Sequence, residues 1–208
     1  MKTKDFLKKH SACKAGAKWA LSIGGDMVDV WEAMIEQGNH AWLLWTATKP
    51  GVFSDSTLRK LAYRFVRETP LADGRKVWDL LTDERSRIAV EVAEAYADGK
   101  ATDGELQAAE AAACAAARAA CAARAACATA YAAAYAAADD AAYAAYAAAE
   151  AAADDAAYAA YAAAEAAADD AADDAAYDAA YVAAKAAQVQ MIAELGNPFK
   201  QDNPIPYI

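Results

Sequence analysis

Histidine is scarce in this chain, with only His10 and His40 among 208 residues. General-base catalysis and zinc binding draw heavily on that side chain, so both start from a narrow base. His40 directly precedes Ala41-Trp42 and reads as a helix-start residue instead of a catalytic base. There is also no Gly-rich phosphate loop, HExxH, CxxC or nucleophile elbow. The four cysteines stand at positions 13, 114, 121 and 127. The last three are seven and six residues apart on one expected helix, with no histidine near them. That is neither metal-ligand spacing nor a separation that one helix can close into a disulfide. They read as small apolar positions. With no nucleophile–base pair and no metal set, the chain is not expected to be an enzyme or to hold a cofactor or metal.

Long apolar runs are missing too. Residues 20–23 are too few for a signal peptide and are followed by Gly24-Gly25. The alanine-rich second half carries regular charges, which argues against a membrane span. A soluble, cytoplasmic protein is the expectation. Bases are scarce in that second half: residues 1–101 hold 16 Lys+Arg and 14 Asp+Glu, whereas 102–208 hold 4 and 16. The net charges are +2 and -12, and the whole chain stands at -10. So acidic a surface repels phosphate backbones, and nucleic acid is not an expected partner.

Proline is absent from 102–195, and Gly104 is the only glycine there. Alanine, the strongest helix former, fills most of the stretch. Thr102 and Glu105 make a capping box at its start, and Leu195-Gly196-Asn197-Pro198 is a stop signal. The larger residues form a ladder in steps of three or four. It runs from Leu106 through Glu110, Cys114, Arg118, Tyr143, Tyr146, Glu150, Asp154, Tyr158, Tyr161, Glu165, Tyr177, Tyr181 and Lys185 to Ile192. Residues 136–150 and 151–165 are the same fifteen letters, AAADDAAYAAYAAAE. Taking about 100° per residue, this repeat gathers both tyrosines, the glutamate and the first aspartate on one narrow stripe. The other face is alanine alone. One uninterrupted helix over 102–195 is predicted. Its alanine methyls either form a seam against another helix, of the same chain or a second copy, or stay solvated on a single rod. The adjacent carboxylates at 139 and 140 diverge around the helix and lack further oxygen ligands, so they read as a solvated face and not as a calcium site.

The first hundred residues read as short helices. Thr3 caps one that carries Phe6, Leu7 and Cys13 and extends toward Trp19 and Leu21, ending at Gly24-Gly25. Asp26 opens a second with Met27, Val30, Trp31 and Met34 inward, stopped at Gly38. Asn39 caps a short apolar third around Trp42-Leu43-Leu44-Trp45. Ser54 or Ser56 starts a fourth, with Leu58, Leu61, Ala62, Phe65 and Val66 inward and Arg59, Lys60, Arg64 and Arg67 in water. A brief helix follows at 77–81. Thr82 then caps a longer one with Ile88, Val92, Ala95 and Tyr96 as its repeating apolar positions, ended by Gly99. No segment alternates as a strand does.

The fold class expected is therefore all-α, an N-terminal bundle of short helices followed by a very long alanine-rich helix. That helix either packs back on the bundle or associates with a second copy. The divisions are 1–101, a compact helical domain; 102–195, the alanine-rich helix; and 196–208, an extended tail.

One polar segment stands out, Trp78-Asp79-Leu80-Leu81-Thr82-Asp83-Glu84-Arg85-Ser86-Arg87. Asp79, Asp83, Glu84 and Arg85 fit helix capping and ion pairs, and alternatively a charged surface for a protein partner. Together with the preceding Phe65-Val66-Arg67-Glu68-Thr69-Pro70-Leu71-Ala72-Asp73-Gly74-Arg75-Lys76, it resembles the bacterial and phage immunity proteins. Lys18-Trp19-Ala20-Leu21, Asp29-Val30-Trp31-Glu32, Trp42-Leu43-Leu44-Trp45 and Asp98-Gly99-Lys100-Ala101-Thr102 are similar to that group as well. The resemblance covers most of 4–106. It implies neutralisation of a toxin or phage-related partner by direct contact, with no catalytic residue to transfer. The candidate contact residues are Tyr143, Tyr146, Glu150, Tyr158, Tyr161 and Glu165 on the stripe, with Asp79, Asp83, Glu84 and Arg85 at the helix junction. A spacer or self-association role for the alanine face is the alternative, and ice binding through that face is a third.

Overall fold

A computed structural model describes residues 1–122, 141–166 and 173–200. These build α1 (Thr3–Lys9), α2 (Lys14–Ile23), α3 (Met27–Glu36), α4 (His40–Ala47) and α5 (Asp55–Glu68). A 3-10 turn (Val77–Leu80) leads to α6 (Glu84–Ala97), α7 (Asp103–Ala122), α8 (Ala141–Ala166) and α9 (Asp173–Ala193). Among the described residues there is no strand, only three isolated bridges. The fold class is all-α.

The chain forms two compact units, one from Met1–Ser54 with the chain from Val189 onward, the other Asp55–Gln188. The boundary between them falls within α9. In the first unit, Phe6, Met27, Val30, Trp31, Met34, Leu43 and Leu44 are buried together with Val189, Met191 and Ile192. The spacing of the α3 residues is that of one helix face, as the sequence predicts. Asp26 caps α3 through a box with Asp29, whose carboxylate accepts from the Asp26 N–H. One expectation for this unit fails. The helix from Thr3 does not run to Gly24, because Ser11 adopts φ 52° and Cys13 becomes the cap of a separate α2, its sulfur accepting from the Gly16 N–H. Lys2 occupies the cap position of α1, and the Thr3 hydroxyl donates to the Gly25 carbonyl instead.

The described part of the tail, 196–200, docks on this unit. Asn197 Nδ2 donates to the Val28 carbonyl at 3.0 Å, and Lys200 pairs with Glu32 at 2.6 Å. Phe199 sets its ring edge-on to Phe6 and Trp31, at 5.5 and 6.0 Å between centroids. Residues 201–208 lie outside the described residues.

In the second unit α5 is central. Leu58, Leu61, Ala62, Phe65 and Val66 are all buried, as their spacing implies. Its arginines are not simply wet. Arg59 is buried with its guanidinium over the Tyr96 ring, and Arg67 lies over Trp78 while pairing with Glu94 at 3.0 Å. The long stem of arginine covers apolar surface while its planar head stacks, which lysine does less well.

Two details of α6 also depart from expectation. Its cap is Asp83, one residue after Thr82, and Ile88 is 44% exposed. The buried positions are Ser86, Ala89, Val90, Ala93 and Ala97. Small residues let helix backbones approach closely, so the face with less bulk is the one that α5 and α7 cover. Against α7, Ala89 and Ala93 meet Leu106, Ala109 and Ala113, with Val92, Tyr96 and Cys114 at the edge.

The predicted capping box at the start of α7 is present: the Thr102 N–H donates to Glu105 and the Glu105 N–H to the Thr102 hydroxyl. The stop is present as well, with α9 ending at Ala193 and Gly196 at φ 82°. Between them the tract does not form one straight rod. Residues 123–140 and 167–172, which the predicted helix includes, lie outside the described residues. Within the described ones, Gln188 Nε2 donates to the Ala149 carbonyl at 2.8 Å, and Lys185 approaches Glu150 to 3.5 Å. Thirty-five residues of continuous helix separate their ends by about 52 Å. Only a bend in the tract brings these groups into contact. The chain therefore turns back on itself between Glu150 and Lys185.

Candidate partner-binding surface

The stripe and its alanine back separate as the sequence spacing requires. On α8, Ala144, Ala145, Ala148, Ala149, Ala152, Ala153, Ala156 and Ala157 have no solvent exposure. Setting Ala144 at zero and advancing about 100° per residue, they occupy an arc from 0° to roughly 220°. Tyr146, Glu150, Tyr143 and Asp154 fall between roughly 200° and 280°, and the slow drift of the pattern accounts for the overlap. The alanine arc packs against α5 and takes the Gln188 amide of α9. Each methyl withdrawn from water contributes about 0.8 kcal/mol, so the seam as a whole is worth several.

The outward stripe keeps its rings in solvent: Tyr143 is 54% and Tyr146 46% exposed. Glu150 pairs with Lys185, whose charge is also felt at Asp154 one turn further along. The Lys185 ammonium sits 3.5 Å from Glu150 and 4.3 Å from the centroid of the Tyr181 ring. Tyr177 stacks on Tyr181, with centroids 6.2 Å apart and planes within 13°. Burial lowers the Lys185 pKa, but the Tyr181 hydroxyl and the Glu150 charge outweigh it, and the net shift is upward. The Asp154 carboxyl is pushed above its usual range, first by partial burial and then by the Glu150 charge, with Lys185 opposing.

Tyr158, Tyr161 and Glu165 are positions of α8 fifteen residues further on, and their side chains lie outside the described ones.

The helix-junction candidates are engaged with the fold. Asp79 accepts from the Lys76 N–H at 2.8 Å and closes the 3-10 turn. Asp83 accepts from the Arg85 N–H at 2.9 Å and from the Arg85 guanidinium at 3.0 and 2.7 Å. That guanidinium holds the Asp83 carboxyl below its usual range. Glu84 is exposed in the first turn of α6, where the helix dipole favours an anion. Behind them, Arg67 and Arg87 both lie over Trp78, at 4.2 and 5.6 Å, and Arg87 Nε donates to the Leu81 carbonyl at 2.6 Å. The bonds of Asp79, Asp83 and Arg85 stay within this segment, so the capping reading describes them.

Lys185 stands beside Glu150, Tyr181 beside Lys185, and Tyr177 on Tyr181; the sequence reasoning left these three out of the candidate residues. All three stand on the ladder. The available signal was Lys185, the single base between Arg124 and Lys200.

His40 begins α4 and is buried. Among the described residues, no three His, Cys, Asp or Glu side chains are grouped to hold a metal, and no helix is long and apolar enough to cross a membrane. No family model, curated protein or solved structure matches the chain.

Proposed function

We propose that the chain is a non-catalytic, cytoplasmic protein of the immunity type, which neutralises a toxin or phage-related partner by direct contact through the tyrosine/acid stripe. The observation that carries this reading is the pair of half-exposed tyrosines, Tyr143 and Tyr146, beside Glu150 and Asp154, on a helix whose opposite face is fully buried. Tyrosine offers rigid contact area at small entropic cost, and carboxylates steer a basic partner. A helix needing only to pack would end in alanine on both sides or in short polar groups. The resemblance over 4–106 supplies the kind of partner.

Co-expression with a toxin encoded next to the gene, followed by capture on the tagged chain, tests it. Tyr143→Ala/Tyr146→Ala/Tyr158→Ala/Tyr161→Ala is expected to lose the toxin while keeping its helical content. Equal capture by both chains removes the stripe from the reading.

The structural alternative, self-association through alanine, has less to work with on α8, because its alanine arc is already packed within the chain. Light scattering across a concentration series separates the two readings, since self-association predicts a mass that rises with concentration.

A further inference from the structure

Beyond Ile192 the chain passes from core to surface within a few residues. Met191 and Ile192 are buried in the N-terminal unit, and α9 ends at Ala193. Gly196 then turns the backbone at φ 82°, a conformation that suits glycine, and Pro198 restricts it two residues on. The piece that follows is shaped by its own bonds. The Phe199 N–H donates to Asn197 Oδ1 at 3.0 Å, and the Lys200 N–H to the Asn197 carbonyl at 3.3 Å.

Its side chains fit one face of the unit. Asn197 Nδ2 donates to the Val28 carbonyl, Phe199 sets its ring against Phe6 and Trp31, and Lys200 pairs with Glu32. Val28, Trp31 and Glu32 stand three and four residues apart, on one stripe of α3, and Phe6 joins them from α1. Phe6 and Trp31 are 1% and 0% exposed with the piece in place, and Lys200 holds the Glu32 carboxyl below its usual range. Two rings with an acid beside them accept an aromatic side chain followed by a base.

Little holds the piece down. Its contacts are one hydrogen bond, the ring edges around a half-buried Phe199, and an ion pair whose side chains are 55% and 52% exposed. Exposed pairs contribute little, and salt screens them. Among the described residues, no backbone–backbone hydrogen bond joins 197–200 to α1 or α3. Lifting the piece leaves its internal bonds intact.

We infer that residues 197–200 are a strap, hinged at Gly196, that opens without unfolding the unit. The face it covers on α1 and α3 then takes an aromatic residue followed by a base from a partner segment. The strap carries the same pair of side chains and competes for the face within the chain. This site is separate from the stripe on α8 and does not rest on the proposed function.

The test uses the full chain and a fluorescein-labelled peptide of residues 195–200, followed by anisotropy. Phe199→Ala/Lys200→Ala empties the face and is expected to bind the peptide with a Kd on the order of 0.1 mM. The unaltered chain, its strap closed about nine-tenths of the time, is expected to bind it about tenfold more weakly. Phe199→Ala in the peptide is expected to weaken binding to the emptied chain about tenfold. Lys200→Glu in the peptide, or Glu32→Gln in the emptied chain, is expected to weaken it about threefold. No binding to the emptied chain overturns the inference, as does equal binding by both chains or indifference to the Phe199 ring.

Native-state hydrogen exchange of the unaltered chain decides independently, and serves where circular dichroism shows the double variant altered. The Phe199 amide is expected to exchange at least about a hundredfold faster than the helical amides of α3, at a rate that low urea leaves unchanged. Exchange of both at one rate, rising together with urea, means that the strap opens only with the whole unit and overturns the inference.

Discussion

Gln188 is fully buried against alanine methyls, yet its amide reaches the Ala149 carbonyl at 2.8 Å and the Thr69 hydroxyl at 3.5 Å. An alanine face carries almost no information about register, since every position resembles the next. A buried amide that finds its acceptor in only one alignment supplies that information. Gln188→Ala removes both bonds and leaves a cavity, with an expected loss of about 2–3 kcal/mol in urea unfolding. At the helix junction, Asp83→Ala removes the cap of α6 and is expected to cost about 1 kcal/mol while leaving toxin capture unchanged. Loss of capture without loss of stability contradicts the structural assignment of that segment.

The carboxylates divide by sign. Asp83 and Glu68 are held low in the folded chain by Arg85 and Arg64. Their contribution is complete above the usual carboxylate range and is lost as pH falls through their depressed folded values. Asp154 is held high, so its ionised form is disfavoured by folding, and that penalty is relieved as pH falls through its raised folded value. Asp154→Asn is therefore expected to raise the thermal midpoint at pH 7 and to make no difference at pH 3. A midpoint lowered at pH 7 contradicts the electrostatic account. The pairing of Asp83 follows from its place before Arg85, whereas the roles of Gln188 and Asp154 were not legible from residue type alone. Gln188 owes its role to groups on other elements and Asp154 chiefly to its burial, neither of which a ladder read along one helix contains.

At the scale of the element, much was legible because spacing alone decides it. The faces of α3 and α5, the box at Thr102 and Glu105 and the glycine stop at Gly196 all follow from periodicity and local capping. So does the split of α8 into an alanine arc and a Tyr/acid stripe. The misreading of α6 has the opposite cause. Ile88 looked inward because it is large, whereas Ala89 and Ala93 are buried because two helices cover them closely. Bulk is a poor guide where close approach decides the packing. The two faces of α8 predict unequal responses to substitution. Ala152→Leu forces extra volume into the seam and is expected to cost about 1–3 kcal/mol. Tyr146→Ala, on the outward side, is expected to change stability by about 0.5 kcal/mol or less. Circular dichroism melts of the two variants check the contrast, and equal losses contradict the assignment of faces.

At the scale of the molecule, the sequence under-determined how the tract is arranged. Nothing between 102 and 195 resembles a turn, because the usual turn residues, glycine and proline, are missing after Gly104. Helix propensity therefore extrapolates to a rod of roughly 140 Å. Burial argues the other way, since a lone alanine helix leaves every methyl in water, while a folded-back one withdraws a whole face of α8 from it. Propensity is local and tertiary packing is not, so the second wins without leaving a mark in the pattern. The fold-back also brings Lys185, with Tyr181 beside it, to Glu150.

A spin-label distance between positions 154 and 182 tests this most directly, because both residues are exposed and lie in the same compact unit. The labels go on Asp154→Cys/Val182→Cys in a background with Cys13, Cys114, Cys121 and Cys127 replaced by alanine. Position 154 is one helical turn from Glu150 and position 182 nearly one turn from Lys185, which approach to 3.5 Å, so a narrow distribution centred below about 25 Å is expected once label length is included. A distribution centred near about 42 Å, the span of twenty-eight residues of unbroken helix, contradicts the account.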